Sequence, residues 1–386
     1  MSVSVTVQPE LLRWARQRGS LSPDELASAM KVPMEKVVEW ERSGAITLAR
    51  LKQLAKKTHT PFGYFFLQEP PDDSLPIADF RIKTKGTTER PSPDLLDALY
   101  LCQRRQAWYR EYLISEDAQP LSFVGSVTSS AESNGVARSI EQAIGLSTTT
   151  RSDFPTWTET LRDFVERIED AGILVMRSGI VGNNTHRKLD VDEFRGFALS
   201  DEYAPLIFVN AADAKAAQIF TLAHELTHIW LGQSGVSDVQ IGSDNQVERF
   251  CNSVAAELLV PIAEFKQLWE HSNDIENEIQ RLARHFKVSG LVLLIRALEA
   301  GSLSYDQFQK LYSDDLTRQR QAPGGTGGTG GNFYNTQGSR LGRQFSEAVI
   351  VSALTGRVTY TEAFRLLGVK SEKVLDNMAQ RLGVVG

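Results

Sequence analysis

The stretch FTLAHELTHIW, residues 220–230, constrains this chain more than any other feature of its sequence. It reads as a helix that is apolar almost all round, because Phe220, Leu222, Ala223, Leu226, Ile229, Trp230 and the following Leu231 leave no wet face. Yet it carries His224, Glu225 and His228. Burying two imidazoles and a carboxylate without partners is costly. A spacing of four stacks both imidazoles on one helix face, where they can share a cation. Glu225, one step round the helix, cannot comfortably join them, but it can take a proton from water and return it to a leaving amine. Two nitrogens, an oxygen ligand and one open position suit a single Zn2+ ion. The bland alternative, two half-exposed histidines on an amphipathic helix, fits poorly with the apolar neighbours.

A catalytic zinc needs a third protein ligand. The metzincin continuation requires Gly at 231 and His at 234, where this chain has Leu231 and Ser234, so that class is excluded. The alternative is a carboxylate from a second helix. QVERFCNSVAAELLVP (246–261) reads as one, opened by a capping box of Ser243 and Gln246 and ended by Pro261. Its candidates are Glu248, 20 residues after His228, and Glu257, 29 after. Glu248 shares a mostly apolar stripe with Cys251, Asn252, Ala255 and Leu259, whereas Glu257 lies with Ser253 and Ala256 nearer the polar edge. Glu248 is therefore the preferred ligand.

FTLAHELTHIWLG, followed by ERFCNSVAAELLVP and preceded by PLIFVNA, resembles the ImmA/IrrE family of bacterial metallopeptidases over roughly 172–314. The resemblance implies His224, His228 and Glu248 as metal ligands and Glu225 as general base. It departs from the usual second block at Phe250, outside the metal set. It also implies a protein substrate, a helix-turn-helix repressor or antitoxin, cleaved in a stress, mobile-element or toxin-antitoxin setting.

The expected fold class is α+β, mostly helical. At 386 residues, the chain exceeds one ordinary core. Residues 1–70 read as five short helices, and LSPDELASAMKVPMEKVVEWERSG within them resembles the Cro/repressor-type helix-turn-helix domain. Residues 71–171 read as a helical connecting region, with QEPPDDSLPIADFR (68–81) as an ordered connector lacking any element. Residues 172–320 form the zincin-like peptidase domain, with a small sheet from 172–179, 194–201 and 205–211. A glycine-rich linker at 321–337 and a helical appendage at 338–386 complete the chain. An extended substrate is expected along PLIFVNA as an edge strand. Tyr203, Asn210 and His186 are weak candidates for oxyanion stabilisation.

Net charge is −6, distributed as +3 over residues 1–70, +3 over 338–386 and −12 between them. Any polyanion contact therefore belongs to the ends. Lys31, Lys36 and Arg42 are the candidate DNA contacts, but the second helix of the pair offers Met34, Glu35, Lys36, Val38 and Glu39 to a groove, a poor set for reading bases. The rival reading is nevertheless a DNA-binding transcriptional regulator or antitoxin-like protein with a structural or silent zinc site. Cys102 and Cys251 are too few and too far apart for a disulfide framework and read as small buried hydrophobes. Without a secretory signal pattern or a long apolar run, a cytoplasmic location is expected.

Overall fold

The computed structural model describes residues 3–80, 90–146, 155–237, 245–270, 274–321 and 340–384. The glycine-rich segment 322–331 and Ser243 lie outside them. The chain divides into two compact units, Met1–Pro76 with Lys83–Tyr100, and Ile77–Ile82 with Leu101–Gly386. No helix among the described residues is long and apolar enough to cross a membrane.

The first unit holds β1 (Ser4–Thr6), α1 (Pro9–Arg18), α2 (Pro23–Met30), α3 (Met34–Ser43), β2 (Ala45–Thr47), α4 (Leu48–Lys57) and a 3-10 helix at Phe62–Phe66. Ser22 caps α2 in a reciprocal box with Glu25. Gly44 ends α3 at φ +69, where a Cβ would lie 2.0 Å from Val7 O. No side chain fits there. The fifth expected helix is thus a 3-10 turn, and β1 and β2 form an antiparallel ribbon that the sequence reading did not contain. Three-residue strands are too short to show alternation.

In the second unit, a mixed sheet of order β3-β7-β5-β6-β4 carries the site. Its strands are β3 (Ala78–Asp79), β4 (Leu174–Ser178), β5 (Gly196–Leu199), β6 (Leu206–Asn210) and β7 (Gly235–Ser237). The helices of this part are α5 (Pro93–Ser115, within which the unit boundary falls), α6 (Ser133–Ile144), α7 (Trp157–Asp170), α8 (Lys215–Trp230) and α9 (Gln246–Leu259). Then follow α10 (Ile262–Leu268), α11 (Ile275–Phe286), α12 (Gly290–Glu299) and α13 (Tyr305–Gln321). Helices α6 and α7 bury Val136, Ile140, Leu161 and Phe164 in the same core as Leu222 and Leu226 of α8 and Val254 and Leu258 of α9.

Two sequence expectations change here. PLIFVNA is β6, which pairs with β4 on one side and β5 on the other, so its backbone groups are spent and it cannot receive a substrate strand. The segment read as a connector lacking any element contains β3, which pairs in parallel with β7 through Ala78↔Gly235 and Asp79↔Val236. The cap of α9 also differs: Asn245 accepts from Val247 N at 2.9 Å.

The C-terminal helices α14 (Arg343–Leu354), α15 (Tyr360–Leu367) and α16 (Glu372–Leu382) are moored to α5 and α7. Buried Arg105 donates from Nε to Leu366 O at 3.0 Å. Glu169, at the end of α7, accepts from Arg343 N at 3.0 Å, and Gln344 Nε2 donates to Glu169 O at 2.6 Å.

Candidate metal centre

Helix α8 is buried from Gln218 to Trp230, which is why its polar side chains need partners inside the protein. Asn245 and Pro261 bracket α9, which lies against α8 and turns Glu248 toward it. His224, Glu225, His228 and Glu248 are each 0% exposed.

Three donors converge. The Nε2 atoms of His224 and His228 are 3.2 Å apart, and Glu248 places Oε2 3.3 Å from the first and Oε1 3.1 Å from the second. Ligands about 2.0–2.1 Å from a tetrahedral zinc would stand about 3.3 Å from one another. Although close, the Glu248 oxygens are not aligned as hydrogen bonds: both, like both Glu225 oxygens and His228 Nδ1, are buried without such a partner among the described residues. So many orphaned polar atoms around one point fit a site that would hold a cation. Cys251 Sγ lies within 4.8 Å of the imidazole nitrogens and is a fourth potential donor. Glu248 makes the closer case, since its two oxygens touch both rings, while burial and the Glu248 and Glu225 carboxylates hold the Cys251 thiol protonated, well above its ordinary pKa.

The surroundings set protonation. His224 Nδ1 lies 2.9 Å from Asn252 Oδ1, an acceptor, so Nδ1 carries the proton and Nε2 is left with a free lone pair. Burial holds His228 below its ordinary value, against the pull of Glu248. For Glu248, burial pushes upward, but the two imidazoles outweigh it and bring the carboxyl down to about 2. A His228 imidazole held toward its neutral form beside an ionised Glu248 carboxylate matches the states that metal ligands require. Burial first, then the Glu248 charge, push Glu225 well above the usual carboxylate range, and Ser237 opposes them. Gly196 of β5 makes room for this carboxylate: a Cβ there would stand 2.6 Å from Thr221 Cγ2 and 3.0 Å from Glu225 Oε1.

Residues 168–298 match the peptidase-family model described as IrrE N-terminal-like domain. That segment contains all four site residues, from His224 to Glu248. A second family model, described only as a domain of unknown function, matches 341–381, the three C-terminal helices. No curated protein matches the chain.

The remaining candidates fall elsewhere. Glu257, the other possible ligand, is ion-paired to Arg296 at 2.8 Å. Asn210 closes the turn after β6, donating to Phe194 O at 3.2 Å and accepting from Ala212 N at 3.1 Å. Tyr203 lies under the Arg110 guanidinium, and His186 is exposed. In the first unit Lys31, Lys36 and Arg42 are exposed, but Lys36 is paired with Glu39 at 2.8 Å. Glu41, at the end of α3, is buried, and Arg16 holds it in a two-pronged pair at 2.6 and 3.1 Å. Three contributors were missed. Asn252 follows Glu248 by one helical turn on the stripe already read as inward, a signal that was available. Ser237, nine residues after His228 and with its Oγ 3.3 Å from His228 Nε2, lies on the short strand β7, and Phe80, stacked on the His228 ring at 5.2 Å, comes from distant chain; neither carries a local signal.

Proposed function

We propose that the chain is a zinc-dependent endopeptidase acting as a regulator, with His224, His228 and Glu248 as zinc ligands and Glu225 as general base. The convergence of those three donors beside an unpartnered buried carboxylate carries the reading. When bound, zinc supplies Lewis acidity toward a peptide carbonyl and toward water. Glu225, buried beside the donors, would take the proton of the attacking water and deliver it to the departing amine. Asn252 fixes the His224 tautomer, and the surrounding core keeps bulk water from competing. The substrate we infer is a helix-turn-helix repressor or antitoxin, which rests on the family resemblance.

The test uses the full chain loaded with zinc and the repressors or antitoxins encoded beside its gene. Glu225→Gln is expected to retain zinc and to lose cleavage by at least about a hundredfold, the scale of general-base catalysis. Equal cleavage by the variant would reject the mechanism. A second reading, a DNA-binding regulator with a silent zinc site, is favoured by one observation, the 0% exposure of the centre. Against it, the outward face of α3 exposes Met34 (43%) and Val38 (47%) and ties up Lys36. That face suits a protein partner better than base edges. Operator retention lost on charge reversal at Lys31 and Arg42, with Glu225→Gln silent in cells, would favour the second reading.

A further inference from the structure

A peptidase centre has to admit a peptide, yet every ligand of this one is sealed. The sheet order places β7 next to the donors, with Ser237 reaching His228, and β7's outer edge is taken by β3. That edge is where an extended peptide would pair and pass the metal. Instead, Phe80 N donates to Val236 O at 3.0 Å and continues the β3 ladder, and the Phe80 ring stacks on His228 at 5.2 Å with 11° between planes. The seat for that ring is built: a Cβ on Gly235 would stand 2.1 Å from Phe80 Cε2, so only glycine lets the ring lie on β7.

We propose that residues 77–80 are a built-in competitor occupying the peptide-binding edge of β7, with Phe80 as the plug over the metal centre, so that the enzyme is latent until this strand lifts. This rests on the peptidase reading for its biological meaning, but not for its geometry. The plug is a side chain and presents no scissile bond to the ligands, so it can remain there uncut. A strand of two residues makes few ladder bonds and is cheap to displace compared with β5 and β6, which are paired on both sides. The chain before it, Met1–Pro76, belongs to the other unit, so the segment is tethered and can return.

Two measurements on the zinc-loaded full chain test this, and neither depends on catalysis. The first is the rate at which 4-(2-pyridylazo)resorcinol extracts zinc. If the strand is closed in about nine molecules of ten, Phe80→Ala should speed extraction about tenfold, while Phe80→Leu, which keeps bulk, should stay near wild type. Equal rates for wild type and Phe80→Ala overturn the proposal. The second covers the case in which Phe80→Ala fails to fold. In the wild type, the Phe80 amide should exchange with deuterium far faster than those of β5 and β6, by local lifting. Exchange only at the rate of β5 and β6 means the strand never lifts in the native state and also overturns it. Should Glu225→Gln leave cleavage untouched while both of these succeed, the peptidase reading fails and the strand stands as a gate on metal access.

Discussion

Between His224 Nδ1 and Asn252 Oδ1 runs a hydrogen bond that holds a proposed ligand from outside the donor set. Losing it frees the ring to rotate and removes the acceptor that fixes its tautomer. Asn252→Ala should therefore weaken zinc binding about 10–100-fold, measured by competition against a chelator of known affinity. Unchanged affinity would show that core packing alone orients the ring. His224, Glu225 and His228 were legible because their relation is local: a helix of 3.6 residues per turn determines which side chains share a face. Glu248 needed one more step, the choice of the apolar stripe over the polar edge, and Glu257 shows why that step works, since it spends its charge on Arg296.

Among elements, the junction of α7 with α14 carries a titratable group that sequence could not single out. Glu169 ends up 6% exposed, and burial raises it from 4.5 to about 7 despite the bond from Arg343 N. The folded chain thus holds this proton more tightly than the unfolded one. The stabilising contribution is full below pH 4.5 and is lost as pH rises through about 7. Glu169→Gln, which keeps an acceptor and cannot ionise, should melt roughly 2–4 °C above wild type at pH 8 and level with it near pH 4, by calorimetry. A constant difference at both pH values would place its cause in packing and not in charge. The longer elements were readable, from the capping box of α2 to the strands β4, β5 and β6, because caps and alternation are carried within a few neighbouring residues. The strands β3 and β7 were not, having two and three residues each.

On the scale of the whole molecule, zinc that binds only the native chain adds stability by mass action, about 4 kcal/mol when free metal exceeds its dissociation constant a thousandfold. Removing it with a chelator should lower the melting temperature, and adding zinc back should restore it; calorimetry with and without metal decides, and no shift would argue against the buried donors as a metal site. The sequence by itself determined which candidate donors can share a face, because the His224–His228 spacing, Glu225 and the helix that carries Glu248 are each written within single helices. Tertiary structure alone decided which strands flank the donors and which side chain is packed on them. It made β6 an interior strand, covered β7 with β3 and laid Phe80 across His228. Strand order and the docking of one segment on another are contacts between residues far apart in the chain, stabilised by pairing and burial that no local pattern encodes.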